Sequence, residues 1–175
     1  MPLIAKVRDA LDETTQIGIP MGADVLYLDR LESRWSLWLH SEEYRRMPAA
    51  VTGTGRAIAA FNPGFAEAIE RSGLTPRRRT AHTVTGVEGF RRALDETRRR
   101  GWARLRDENI VGLCSIAAPV LVPGPAGTTA IAAISVVGPT PRVIGRQRAV
   151  TRSVLAAAGE LAAAVRHHRS DVDSA

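Results

Sequence analysis

The stretch GLCSIAAPV, residues 112–120, holds the chain's one cysteine beside a serine, inside a run of small and apolar residues. A thiol next to a hydroxyl could be a nucleophile, a ligand contact or core filling. A nucleophilic thiolate needs a neighbouring cation or helix N-terminus, and an apolar mid-strand setting keeps Cys114 a neutral, small hydrophobe instead. Asp107-Glu108 is a carboxylate pair that could do general acid/base work. No activating partner is marked beside it, and a solvated turn or an ion pair with an arginine explains it as well. Thr52-Gly53-Thr54-Gly55-Arg56 could cradle an anion, because backbone N–H groups at a helix start point at negative charge. It lacks the dinucleotide-binding spacing and the Gly-Lys-Ser/Thr of a phosphate loop. It reads as a tight turn that lets a helix approach the sheet or a ligand, with amides still open to a small carboxylate. His40 and His82 are isolated, and His167-His168 stand among arginines at a polar helix end. None has metal-ligand spacing around it, so neither a metal nor a cofactor is expected.

These residues are positioned by an ordered set of elements. Leu3, Val7, Ala10 and Leu11 share one face of an opening helix. TQIGIPMGADVLYLDRLES reads as a hairpin around Gly-Ala-Asp, and SLWLHS (36–41) as a further extended candidate, followed by the polar loop EEYRRMP. A small-residue helix follows TGTG and stops at Asn62-Pro63-Gly64, and a second helix ends on Gly73. The helix over 86–100 carries capping-box spacing at Thr85 and Glu88 and an apolar recurrence at Val87, Phe90, Leu94 and Thr97, and it stops at Gly101. Three strands come next: WARLRDE, IVGLCSIAAPVLV and TTAIAAISVVG, the last two joined by PGPAG and so paired antiparallel. Both of these are apolar on both faces, which calls for cover on each side of the sheet. A helix from about Ile144 to His167, with Val150, Val154, Ala158, Leu161 and Val165 on one stripe, closes the chain. Mixed order of this kind predicts an α/β (α+β) sandwich on an antiparallel sheet, rather than a doubly wound parallel fold.

The 175 residues suffice for one domain with a substantial core, and 45% hydrophobic against 24% charged residues excludes a disordered chain. The net charge of +6 is carried by arginines, Lys6 being the one lysine. They fall in scattered clusters without interleaved aromatics, which argues against direct nucleic-acid binding by this surface. No apolar run approaches the roughly 18 residues of a membrane span, the first residues carry acids where a signal peptide is apolar, and one cysteine makes no internal disulfide. A cytoplasmic protein without membrane contact is expected.

Taken in order, TGTGRAIAAFNP, RRRGWARLRDENIVGLCSIAAPV and AAISVVGPTPRV resemble the effector-binding domain of the isocitrate lyase regulator (IclR) family of bacterial transcription regulators, over roughly residues 3–165. The resemblance implies a GAF-like or profilin-like fold, an antiparallel sheet flanked by helices, with a pocket on one side for small organic or aromatic acids. It also implies self-association, to a dimer or tetramer. Family members read DNA through an N-terminal winged helix-turn-helix. No such module lies in this chain, so DNA would be a partner only through one outside it. The expected layout is a linker helix over 1–14, the effector-binding domain over 15–168 and a flexible tail over 169–175. Carried onto this sequence, the pocket would use Gly53, Thr54, Gly55, Leu105, Ser115, Ala117, Ser135 and Val137.

Several of these depart from the family pattern. Ser115 stands where members often have cysteine, and Cys114 where the intervening residue is often arginine. Ser135 matches the first serine of a Ser-x-Ser, Val137 replaces the second, and Leu105 replaces an acid. Strand alternation places Ser115 and Ala117 on one face and Cys114 and Ile116 on the other, so a ligand meeting Ser115 leaves Cys114 behind the sheet. Apolar Leu105 and Val137 beside two hydroxyls suit an acid with an aromatic or aliphatic body better than a short dicarboxylate. Two other classes are weighed: a small enzyme using Cys114 or Asp107, and a standalone protein-interaction module on a GAF-like fold.

Overall fold

The computed structural model describes residues 2–34, 45–73, 78–124 and 127–173. Strands β1 (Thr14–Met21) and β2 (Asp24–Leu31) form the expected hairpin, turning at Gly22, whose φ of 63° suits a residue without a Cβ. The extended candidate at 36–41, with His40, lies outside the described residues. The segment read as polar loop ends instead in a three-residue strand, β3 (Arg46–Pro48), paired antiparallel with β2. Its register sets Arg46 near Asp24, and the two form an ion pair at 2.7 Å, a cross-strand contact that the loop-like composition hides. A 3-10 turn, Ala49–Val51, leads into α2 (Gly53–Phe61), and α3 (Pro63–Arg71) follows. Asn62 ends the one and caps the other, its side chain accepting from the Phe65 amide.

Helix α4 (Gly86–Arg100) has the expected span but not the expected start. Thr85 makes no side-chain capping bond, because Gly86, at φ 73°, turns the chain at the helix entrance, and Glu88 faces Arg91 instead. Val87 is exposed, and the buried stripe is Phe90, Leu94 and Thr97. Gly101 stops the helix in the left-handed region, its amide donating to Thr97 O.

Strands β4 (Ala103–Arg106), β5 (Leu113–Gly124) and β6 (Gly127–Pro139) complete an antiparallel sheet of order β3-β2-β1-β6-β5-β4. The closing helix is two helices: α5 (Thr140–Gly145), then α6 (Gln147–Asp173), broken at Arg146. α6 therefore begins later than Ile144 and continues past His167 into the segment expected as tail. Helix α1 (Pro2–Leu11) buries Ile4, Val7 and Leu11, a face turned slightly from the one drawn through Leu3 and Ala10.

The sheet is covered on both faces, as its two-sided apolar strands require. On one face α2, α3 and α4 pack Ile58, Phe65, Ile69, Phe90 and Leu94 over Ala117, Ala130 and Ala133, where alanine against alanine lets α2 lie close. On the other, α1, α5 and α6 pack Ile4, Val7, Val143, Val150 and Val154 over Cys114, Ile116, Ile134 and Val136. β5 thus sends alternate side chains into two separate cores.

Candidate functional site

On the α2 face the sheet is not fully filled. Between the start of α2, strands β1 and β2, and the loop 107–112 joining β4 to β5 lies a cavity of about 600 Å³, counted with its open mouth. Its apolar walls are Met47, Val51, Leu105, Ile110, Leu113 and Val137, with the ring of Tyr27. Gln16, Arg30, Thr52, Glu108, Asn109 and Ser115 supply polar groups.

The β4–β5–β6 register explains the central wall: Leu105 lies opposite Ser115, and Ser115 opposite Val137, so the three share one row. Gly53 abuts this row so tightly that a Cβ there would overlap Ser115 Oγ. Thr52 caps α2 by accepting from the Gly55 amide at 2.9 Å, and its own carbonyl takes the Arg56 amide. The first amides of α2 are left without an intrahelical acceptor, and Gly53 lies beside the Ser115 hydroxyl. Ser115 Oγ makes no hydrogen bond with the described residues. A carboxylate placed here would meet a hydroxyl donor and the positive end of a helix.

The floor is a chain of hydroxyls. Tyr27 donates to Thr54 Oγ1 at 3.4 Å, and Thr54 donates to Ser135 Oγ at 2.9 Å, both latter residues being fully buried. Burial raises the Tyr27 phenol above its ordinary pKa, with the Thr54 bond pulling the other way, so it stays protonated.

The loop 107–112 forms the outer wall. Arg56 holds Glu108 by a two-pronged pair, 2.9 and 2.7 Å, both side chains nearly buried. The Glu108 carbonyl accepts from Thr80 and Thr83, tying the loop to the segment before α4. Asp107 takes the left-handed region at φ 58° and accepts from the Gly112 amide and the Thr140 hydroxyl, each at 2.8 Å. The Thr140 hydroxyl first, then the Gly112 amide, hold its carboxyl below the usual range. Both members of the carboxylate pair are therefore engaged in structure.

Of the eight residues expected at the pocket, Gly53, Leu105, Ser115 and Val137 line this cavity and Thr54, Gly55, Ala117 and Ser135 do not. Thr54 and Ser135 bond to each other beneath it. Gly55 faces the backbone of Ala49, which leaves no room for a Cβ, and Ala117 packs under α2. Sequence reasoning missed Gln16, Tyr27, Arg30, Met47, Val51, Asn109 and Ile110, and it singled out Thr52 and Glu108 without assigning them to the pocket. Leu113 was within reach, two residues before Ser115 on the same face. Gln16 carried a signal too, an amide directly before the apolar run 17–21 of β1.

Cys114 is fully buried on the opposite face, and burial pushes its thiol up to about 11. His82 and His167 are exposed. Among the described residues no group of three or more His, Cys, Asp or Glu could hold a metal ion, and no helix is long and apolar enough to cross a membrane.

An antiparallel sheet in this strand order, helices on both faces and a cavity under the start of α2 define a GAF-like domain. The family model described as "Bacterial transcriptional regulator IclR C-terminal" matches residues 1–165, and the chain belongs to that family. It is 33% identical over 119 residues to "Probable transcriptional regulator SauR" of Cupriavidus necator, an alignment covering 68% of this chain and 47% of that protein. The chain thus spans about half the length of this curated relative. Its fold is similar to an IclR homolog from Microbacterium hydrocarbonoxydans complexed with 4-hydroxybenzoate (TM-score 0.79, 23% identity, 95% of this chain and 66% of that one). It is also similar to the inducer-binding domain of the PobR transcription factor from Acinetobacter, a double mutant in complex with 3-hydroxybenzoic acid (TM-score 0.75, 26% identity, 92% and 94%).

Proposed function

We propose that this chain is the effector-sensing domain of an IclR-type transcriptional regulator and that its effector is an aromatic carboxylic acid. One observation carries the ligand class: the Ser115 hydroxyl, without a hydrogen-bond partner among the described residues, lies against the start of α2, at one side of a cavity whose apolar walls include Leu105, Leu113, Val137, Met47 and Val51. The carboxylate accepts from the Ser115 hydroxyl and the Gly53 amide, and the ring lies on the apolar row. The complexes of its two structural neighbours with hydroxybenzoates support the same class. In this reading the chain catalyses nothing, since Cys114 faces away from the cavity and Asp107 is held by Gly112 and Thr140. The protein acts in the cytoplasm, self-associates to a dimer or tetramer, and reaches DNA through a helix-turn-helix module outside this sequence.

A thermal-shift series with benzoate, hydroxybenzoates and short oxoacids tests the ligand class. A fitting acid at a hundred times its Kd adds about 2.7 kcal/mol, several degrees in Tm. Ser115→Ala folds normally and loses about tenfold in affinity, the worth of one hydrogen bond to a charged group. Strong shifts with short oxoacids and none with aromatic acids would overturn the reading.

A further inference from the structure

The cavity's outer wall is joined by hydrogen bonds to the N-terminal helix on the far side of the sheet. Thr140 ties both ends of the loop 107–112: its hydroxyl donates to Asp107 Oδ1 and its amide donates to Gly112 O, each at 2.8 Å. Thr140 is also the first residue of α5. Two residues on, Arg142 donates from Nε and an Nη to the two carboxylate oxygens of Glu13, both at 2.7 Å. Glu13 is 3% exposed, lies between α1 and β1, and is backed by Gly138, where a Cβ would overlap its carboxylate. At the other end of α5, Arg146 donates to the Leu11 carbonyl at 2.8 Å, one of the orphan acceptors at the C-terminus of α1.

We infer that Asp107, Thr140, Arg142 and Glu13 form a relay that carries occupancy of the cavity to α1. It rests on the reading of the cavity as the effector site. A ligand touches Asn109, Ile110 and Leu113 and favours one setting of the loop. Thr140 cannot follow the loop without moving α5, and α5 holds α1 through Arg146 on the Leu11 carbonyl and the connector just after α1 through Arg142 on Glu13, both charge-assisted contacts. Such contacts are stronger and more directional than neutral ones, so the linkage transmits position rather than mere proximity. None of the four residues lines the cavity, so they act by positioning.

Hydrogen-exchange mass spectrometry tests this on the chain itself, in two arms. Without any ligand, Thr140→Val removes the hydroxyl bond and raises exchange across residues 2–11 about fivefold, the worth of one hydrogen bond. Thr97→Val, a buried threonine on α4 away from the path, leaves α1 exchange unchanged. With a hydroxybenzoate added, wild type slows exchange both in residues 108–112 and in α1, whereas Thr140→Val keeps the first effect and loses the second. Unchanged α1 exchange in unliganded Thr140→Val overturns the relay, as does an equal α1 response to ligand in both proteins. If no aromatic acid protects residues 108–112, the effector reading fails, and the unliganded arm still decides the relay.

Discussion

Ser115 and Cys114 are adjacent in sequence and differ in every physical respect, because strand geometry sends one into a cavity and the other into a core. With its thiol pushed up to about 11, Cys114 carries about a hundredfold less thiolate near neutral pH than an ordinary cysteine. Iodoacetamide should therefore leave it unmodified in the folded protein and alkylate it readily in urea. The same shift sets a pH dependence. A thiol whose folded pKa lies above its unfolded one stabilises the fold fully below pH 9.0 and loses that contribution as pH rises toward about 11. Tyr27, also raised, acts in the same direction. Melting curves across that range should show Tm falling, and Cys114→Ala should make the fall shallower. At Gly53 the argument is steric: Gly53→Ala should keep the fold and abolish the thermal response to aromatic acids, since the new methyl displaces the Ser115 hydroxyl.

Most elements were legible because their signals are local. The recurrence through Phe90, Leu94 and Thr97 survives the absence of its expected cap, and two-sided apolarity in β5 and β6 required helices on both faces. What escaped depends on contacts distant in sequence. β3 has three residues and exists through its register with β2. α5 was hidden by Pro139 and Pro141, although proline is compatible with a first helical turn. Half the expected site residues line the cavity: Leu105, Ser115 and Val137, set in one row by strand register, and Gly53, which opens α2 against that row. The loop 107–112 contributes through Arg56, which lies 52 positions from Glu108, and no local pattern announces that pair. Its loss has a definite cost: Arg56→Ala strands a nearly buried carboxylate and should destabilise by about 3 kcal/mol in urea unfolding. Adding Glu108→Gln should recover part of this, because the remaining side chain is neutral.

Across the whole molecule, a single sheet separates two packed layers with different duties. The α2 layer leaves a cavity at one end, whereas the α1–α5–α6 layer is filled by aliphatic side chains and clamped by Arg142 and Arg146. Strand parity keeps them apart: Leu105, Leu113, Ser115 and Val137 belong to the cavity, and Ile116, Ile134 and Val136 to the opposite core. For an engineer this is a division between a programmable surface and a fixed chassis. A combinatorial library confined to those four cavity positions should yield altered chemical selectivity with melting temperatures clustered near the parent. An equal library at residues 116, 134 and 136 should yield mostly misfolded protein, and a biosensor built on this chain would be retuned from one side of the sheet alone.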